Sequence, residues 1–388
     1  MEIVIATREL AGPGGVQSYV LTVAPHLERL GHPVTLHAPE LGEMADLARS
    51  RGLRVADGER GLPFGCDVVL AQDAPSALDM AARYPEATGA LVVHGAEYDL
   101  HLPPPADGVV DVAIAMNGVV QRRLGALARP VDVVRLRQPI ELTHFAAVGP
   151  VRERPASALL LGNYVGDRRR DALVRVLEGR GLAVREVGVL GADTLADPLP
   201  AILDADVVIG QGRSVLEAMA CGRAALVYGP TVGDGWVTET TYAALEEDGF
   251  RGRATDEMFD AAAVERALEA WRPGMGELNR GLAMTHHAAY DHAVALVAAI
   301  DRAPAAVARP ERQPLRELAQ VIRSLHEMQS RMTVKDRAIR ELVDQRDAIA
   351  RDNEALRVEQ RAMYERIAAL EAELAPRPAA KRGWRTGR

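Results

Sequence analysis

Cysteine is nearly absent from this chain. Cys66 and Cys221 are the only two in 388 residues. They lie far apart and without metal-ligand spacing, which excludes a disulfide framework and fits a reducing compartment. Aromatic residues are scarce as well, at 4%, so the cores must be built from Ala, Val and Leu. No stretch approaches the roughly 20 apolar residues of a membrane span. Met1 leads straight into "EIVIA" without the basic region and long apolar run of a secretory signal, and the expected location is the cytoplasm. An excess of positive charge is also missing. A net charge of -8 offers no general attraction for nucleic acid, which needs a basic surface to neutralise phosphates.

What is there is ordinary globular material, 48% hydrophobic and 26% charged, long enough for two cores and a tail. The first half alternates short apolar strands such as "EIVIATR", "PVTLHA", "DVVLAQ", "GALVVHG" and "DVAIAMN" with helical patterns. Near-continuous Val, Ile and Leu is what a parallel sheet buried on both faces requires, and the alternation predicts a doubly wound α/β fold. A second run of the same kind begins after the connection "VGPVRERPAS". The expected organisation is two Rossmann-like lobes, 1–150 and 151–302, with ligands bound in the cleft at the carboxyl ends of their strands.

The carboxyl-terminal part reads differently. A Pro- and Ala-rich linker over 303–317 precedes a heptad pattern over 318–375. One seam takes Leu318, Leu325, Met332, Ile339, Arg346, Asn353, Gln360, Ile367 and Leu374; the other takes Val321, Met328, Lys335, Leu342, Ile349, Leu356, Met363 and Leu370. This predicts a coiled coil and a homodimer, with Asn353 favouring a parallel pair in one register; a single solvated helix is the plainer alternative. About 60 residues would make a rod of roughly 90 Å. The tail 376–388 clusters Arg377, Lys381, Arg382, Arg385 and Arg388 around Trp384, a composition for a disordered terminus or for weak contact with anionic membrane headgroups.

Two stretches carry the chemistry. "GPGGV" follows the first strand and opens the first helix, so Gly14 and Gly15 let backbone approach a ligand while the helix amino end faces an anion; a plain tight turn fits equally well. "DVVIGQGRSVLEAMACG" is the richer one. Here a buried strand ends in Gly210 and Gly212, Arg213 follows, Ser214 is placed to cap or open the next helix, and Glu217 lies on its first turns. The amino end of that helix suits a diphosphate, and a carboxylate in its first turns suits a ribose diol, its charge favoured by the dipole. Glu217 serving only the dipole is the structural alternative.

These stretches resemble the retaining, nucleotide-sugar-dependent glycosyltransferases of the GT-B fold, the family 4 type. "GPGGVQSYVLTVAPHLERLGHPVTLHAP", "ALVVHG", "LRQPIELTHF", "LLLGNYVGDRRRDAL" and "SVLEAMACGRAALVYG" follow in the family's order over roughly residues 1–300. The resemblance implies that Glu217 binds the donor ribose and that Gly14 and Gly15 approach its diphosphate or sugar. It places Arg168 where the family keeps a phosphate-binding lysine, with Arg169 and Arg170 as neighbours in register, and it sets His94 on the donor-sugar side as the catalytic, orienting residue; a strand-end histidine bonded to backbone is the alternative. Asn163, Gly210, Gly212, Arg213 and Ser214 complete the expected donor site. Neither a metal nor a cofactor is expected beyond the nucleotide-sugar co-substrate.

The departures from the family pattern are specific. Ile209 stands where an acidic residue that contacts the donor sugar is usual, and Asn163 stands for an arginine. Asp234, Trp236 and Glu239 sit in an unfamiliar continuation expected to wall the cleft. The triplet holding Asp204 and Asp206 enters its strand at the amino end, away from the cleft, and is not read as a metal holder. A non-catalytic scaffold dimerised by the coiled coil, and a nucleotide-sugar epimerase, are the rival functions.

Overall fold

The computed structural model describes residues 1–96, 98–146, 152–162, 167–188, 195, 197–229, 233–255, 260–304 and 311–374. They form two compact units, Met1–Arg323 and Ser324–Arg388.

Within the first unit the apolar runs form two large sheets, beside a short parallel ladder of Glu9–Leu10 with Glu40–Leu41. The first has seven strands: β1 (Ile3–Ala6), β2 (Val34–His37), β3 (Arg54–Val55), β4 (Val68–Ala71), β5 (Thr88–Val93), β6 (Val112–Ala115) and β7 (Asp132–Arg135). They are all parallel, in the order β3-β2-β1-β4-β5-β6-β7. The second sheet holds β8 (Ser157–Leu161), β9 (Ala183–Val187), β10 (Val207–Gly210), β11 (Ala224–Tyr228) and β12 (Gly233–Trp236), in the order β9-β8-β10-β11-β12. Only β12 in it is antiparallel.

Helices cover both faces of each sheet, as buried parallel strands demand. Around the first sheet lie α1 (Gly15–Arg29), α2 (Glu43–Ser50), α3 (Ala74–Arg83) and α4 (Gly118–Gly125). Around the second lie α5 (Asp167–Gly179), α6 (Leu199–Asp204), α7 (Arg213–Ala220), α8 (Tyr242–Asp248), α9 (Ala261–Glu269) and α10 (Met275–His286). Caps are local where the sequence supplies them: Asp73 accepts from Ser76 N–H, Asn117 from Val120 and Asp260 from Ala263. Each sheet has a core on either face, and one face of the second gathers Leu159, Val208, Leu216, Met219 and Val227.

The chain then returns. Helix α11 (Ala289–Asp301) sets Ala293, Leu296, Ala299 and Ile300 into the core between α1 and the first sheet, so the segment assigned by sequence to the second lobe finishes on the first. The long helix α12 runs from Arg312 to Leu374, six residues earlier than the heptad pattern starts. Its first turns are buried at Leu315 and Ala319 in the core behind β4 and β5, because those apolar side chains meet the α3 side of the sheet. The expected linker over 303–317 is shortened accordingly. Residues 305–310 and the basic tail lie outside the described residues.

In the second unit the remainder of α12 carries its seam side chains exposed: Leu325, Met328, Met332, Ile339, Leu342, Ile349, Leu356, Met363 and Ile367. No helix among the described residues is long and apolar enough to cross a membrane.

Candidate active site

The stretch from β10 into α7 shows why each glycine is there. At Gly210 a Cβ would stand 2.5 Å from the Leu161 carbonyl oxygen of the neighbouring strand, so any side chain would collide with backbone. Gly212 has φ +58, which a side chain rarely adopts. Its N–H donates to the carbonyl of Phe250 at 2.7 Å, and Phe250 is itself the one described non-glycine residue with positive φ. The turn is thus pinned from α8's carboxyl end, and it launches α7 toward the first sheet's helices. No side chain caps α7, and of the two roles anticipated for Ser214 it takes the opening one, in the first turn of the helix. Its hydroxyl lies 3.6 Å from where a Cβ on Gly162 would project, over the end of β8.

Glu217 faces a cavity of about 290 Å³ between α1 and α2 on one side and α7 with the segments 141–145 and 197–198 on the other. The volume lies at the low end of small-molecule sites. Leu21, Pro25, Met44 and Leu47 give it an apolar wall; Ser18, Thr22, Glu141, Thr143, His144, Asp197, Arg213 and Glu217 give it a polar one. Burial pushes the Glu217 carboxyl above its usual range, and Arg213 opposes that shift. The Arg213 guanidinium donates from Nε to Glu217 Oε1 at 2.9 Å, to the Pro139 carbonyl at 3.2 Å and to Thr22 Oγ1 at 2.9 Å. Across the cavity His144 Nε2 bonds Asp197 Oδ1 at 3.0 Å.

The connection between the sheets is held residue by residue. His292 Nδ1–H donates to the Arg137 carbonyl at 2.9 Å and His287 Nδ1–H to that of Gln138 at 2.8 Å. Since a carbonyl can only accept, both rings carry the proton on Nδ1. Each Nε2 then accepts from a buried tyrosine, Tyr19 for His292 at 3.0 Å and Tyr242 for His287 at 2.9 Å. Burial lowers both rings to about 4. His26 Nε2 meets Glu141 Oε2 at 2.6 Å, and chiefly that bond holds the Glu141 carboxyl down at about 2.

The other expected site residues divide. His94, at the end of β5, does not line the cavity. Its Nε2–H donates to Gln72 Oε1 at 2.8 Å, and its ring packs edge-on against Tyr19 of α1 at 5.0 Å. Burial, with the charges of His101, His292 and Arg213, lowers it to about 3, so it is a neutral imidazole. Gly14 and Gly15 form the amino end of α1, one turn before Ser18; a Cβ on Gly14 would touch only the flexible end of Gln17, and one on Gly15 nothing within 4 Å. Asn163 lies outside the described residues. Arg168 is on the first turn of α5, its side chain outside the described set, and its neighbour Arg170 is engaged by Glu186 of β9.

Ile209 is buried in the second sheet's core. Asp234 and Trp236 do not wall the cavity: Asp234 accepts from the Ala254 and Thr255 N–H groups, and Trp236 Nε1–H donates to the Ala267 carbonyl. Both fasten the β12 edge instead. Asp206 is spent on the Ala156 and Ser157 N–H groups and on Arg152. Sequence reasoning missed Thr22, Glu141, His144 and Asp197. The nearest signal was the run of polar side chains in "LRQPIELTHF", whose role depends on what folds against it.

No family model matches the chain, and no curated protein does. Among solved structures the fold is that of the GT-B glycosyltransferases. HepE from Anabaena, solved with UDP and glucose, superposes with a TM-score of 0.56 at 11% identity, over 77% of this chain and 99% of that one. Its complex with UDP-glucose gives 0.54 at 12%, over 78% and 100%. A glycosyltransferase from Rickettsia africae gives 0.51 at 13%, over 77% and 98%.

Proposed function

We propose that this chain is a glycosyltransferase, moving a sugar from a nucleotide-diphosphate sugar to an acceptor with retention at the anomeric carbon. The observation that carries the reading is Glu217: a buried carboxylate in the first turns of a glycine-led helix, facing a partly polar cavity between the two sheets' helices. That carboxylate takes the ribose hydroxyls. The amino end of α7 and Arg168 take the diphosphate, whose charge grows as it leaves, and Gly14 and Gly15 admit the same group or the sugar from the first sheet's side. His94, neutral and outside this cavity at the end of β5, orients the reacting groups only where the donor sugar extends beyond the cavity. Closure of the cleft aligns the acceptor hydroxyl and excludes water. Because HepE is solved with UDP and glucose, UDP-glucose is the first donor to try.

The exposed apolar seams of α12 support a parallel homodimer through 318–375, in the cytoplasm or at its membrane surface through the basic tail. A second reading, a non-catalytic scaffold, has its own support: Ile209 brings no acid to the sugar, and Arg213 already occupies one oxygen of Glu217. Single-turnover assays with UDP-, GDP- and dTDP-sugars, alongside thermal shifts with UDP and GDP, separate the two. An enzyme gives product and, at a hundred times the dissociation constant, about 2.7 kcal/mol of added stability. Failure of every donor to bind overturns the enzymatic reading, and a converted sugar without acceptor points to an epimerase.

A further inference from the structure

Arg213 is an odd choice for the first residue of a helix. A cation there opposes the helix dipole, and an ion pair with Arg four residues before Glu is the less stabilising order on a helix. Helix stability therefore does not account for it. The guanidinium is almost buried, and each of its three nitrogens donates to a separate piece of chain: Glu217 on its own helix, the Pro139 carbonyl in the connection between the sheets, and Thr22 Oγ1 on α1. Thr22 can accept because its own proton goes to the Ser18 carbonyl at 2.7 Å. A planar fork bound at three points has little freedom. The carboxylate it grips inherits that fixity, while Glu217 Oε2 has no hydrogen-bond partner among the described residues and Glu217 lines the cavity.

We infer that Arg213 is a positioning residue for nucleotide recognition, holding Glu217 ionised and oriented so that its free oxygen receives the ribose hydroxyls. The inference rests on the nucleotide-sugar reading above and adds the device that makes a buried glutamate usable as an acceptor. A neutral carboxyl would keep its proton and lose acceptor capacity. The groups facing Glu217 set that balance: Arg213 from α7, His144 and Asp197 across the cavity, and Glu141 and Arg51 on its walls. Asp197 works against ionisation and His144 for it, leaving Arg213 as the main support.

The test is equilibrium binding of UDP, GDP and their 2′,3′-dideoxy counterparts to the full chain between pH 6 and 8. The proteins compared are wild type, Arg213→Gln, Arg213→Lys and Glu217→Gln. Wild type should prefer the ribose form of whichever diphosphate it binds, with little change across the range. Arg213→Gln should bind it at least tenfold more weakly, lose affinity further as pH falls, and discriminate ribose from dideoxyribose barely better than Glu217→Gln. Arg213→Lys, which keeps the charge, should keep the flat pH profile and part of the discrimination, and it carries the test if Arg213→Gln does not fold. A folded Arg213→Gln with wild-type discrimination overturns the inference, as does an Arg213→Lys with no discrimination and a sloping profile. Absence of any binding by wild type removes the nucleotide reading itself, a distinct outcome.

Discussion

Four side chains, two of them buried histidines held neutral, converge on the five-residue connection 137–141: His292 on Arg137, His287 on Gln138, Arg213 on Pro139 and His26 on Glu141. The two neutral rings impose a pH dependence whose sign follows from proton counting. Above about 6.5 they are unprotonated in both folded and unfolded chains. Below it the unfolded chain takes up protons that the folded one refuses until about 4, so stability falls as pH drops through that window. Each ring contributes a loss on the order of 2–3 kcal/mol by the acid end. Glu141, held at about 2, extends the loss below pH 4.5, where the unfolded carboxyl protonates first. Urea midpoints measured from pH 7.5 to 4 should decline steadily once below about 6.5; a flat series over that span would contradict the assignment of neutral, Nδ1-protonated rings.

At the scale of elements, α7 owes its direction to a turn that tolerates no side chain. Gly210 lies against the Leu161 carbonyl with no room for a Cβ, and Gly212 needs a positive φ while its N–H is taken by Phe250. Gly210→Ala must displace backbone, not a flexible side chain, and should cost about 1–3 kcal/mol, as overpacking of a tight interior does. The measurement is the denaturant midpoint together with nucleotide affinity. Because the collision sits at the root of α7, both should fall, whereas Gly15→Ala, with nothing within 4 Å of the added carbon, should leave the midpoint nearly unchanged.

For the whole molecule, the second unit presents a row of apolar side chains to solvent, among them Met332 at 64%, Leu342 at 65%, Ile349 at 61% and Leu356 at 61% exposure. A stripe of that length on one helix is unfavourable alone and calls for a partner helix. In light scattering the full chain should run at twice its own mass. Leu342→Lys combined with Ile349→Lys should shift it to a monomer over the micromolar range without altering nucleotide binding in the first unit. A wild-type monomer at those concentrations would remove the dimer.

Local pattern was enough for most of the parallel strands, most of the helices between them and the long α12, because period and composition are properties of contiguous residues; the short β3, the edge strand β7 and the short α6 were not anticipated. The same holds for the glycines of the β10–α7 turn and for Glu217 as a candidate acceptor, both legible from residues within one stretch. What local pattern could not supply is pairing between distant segments. Nothing near Arg213 in sequence announces Thr22 or Pro139 as its partners. Nothing near Asp234 or Trp236 says that they fasten a sheet edge, and nothing near Ala293 says that α11 returns to the first sheet. Those outcomes are decided by which surfaces the packed sheets bring within hydrogen-bond reach, a property of the tertiary structure alone.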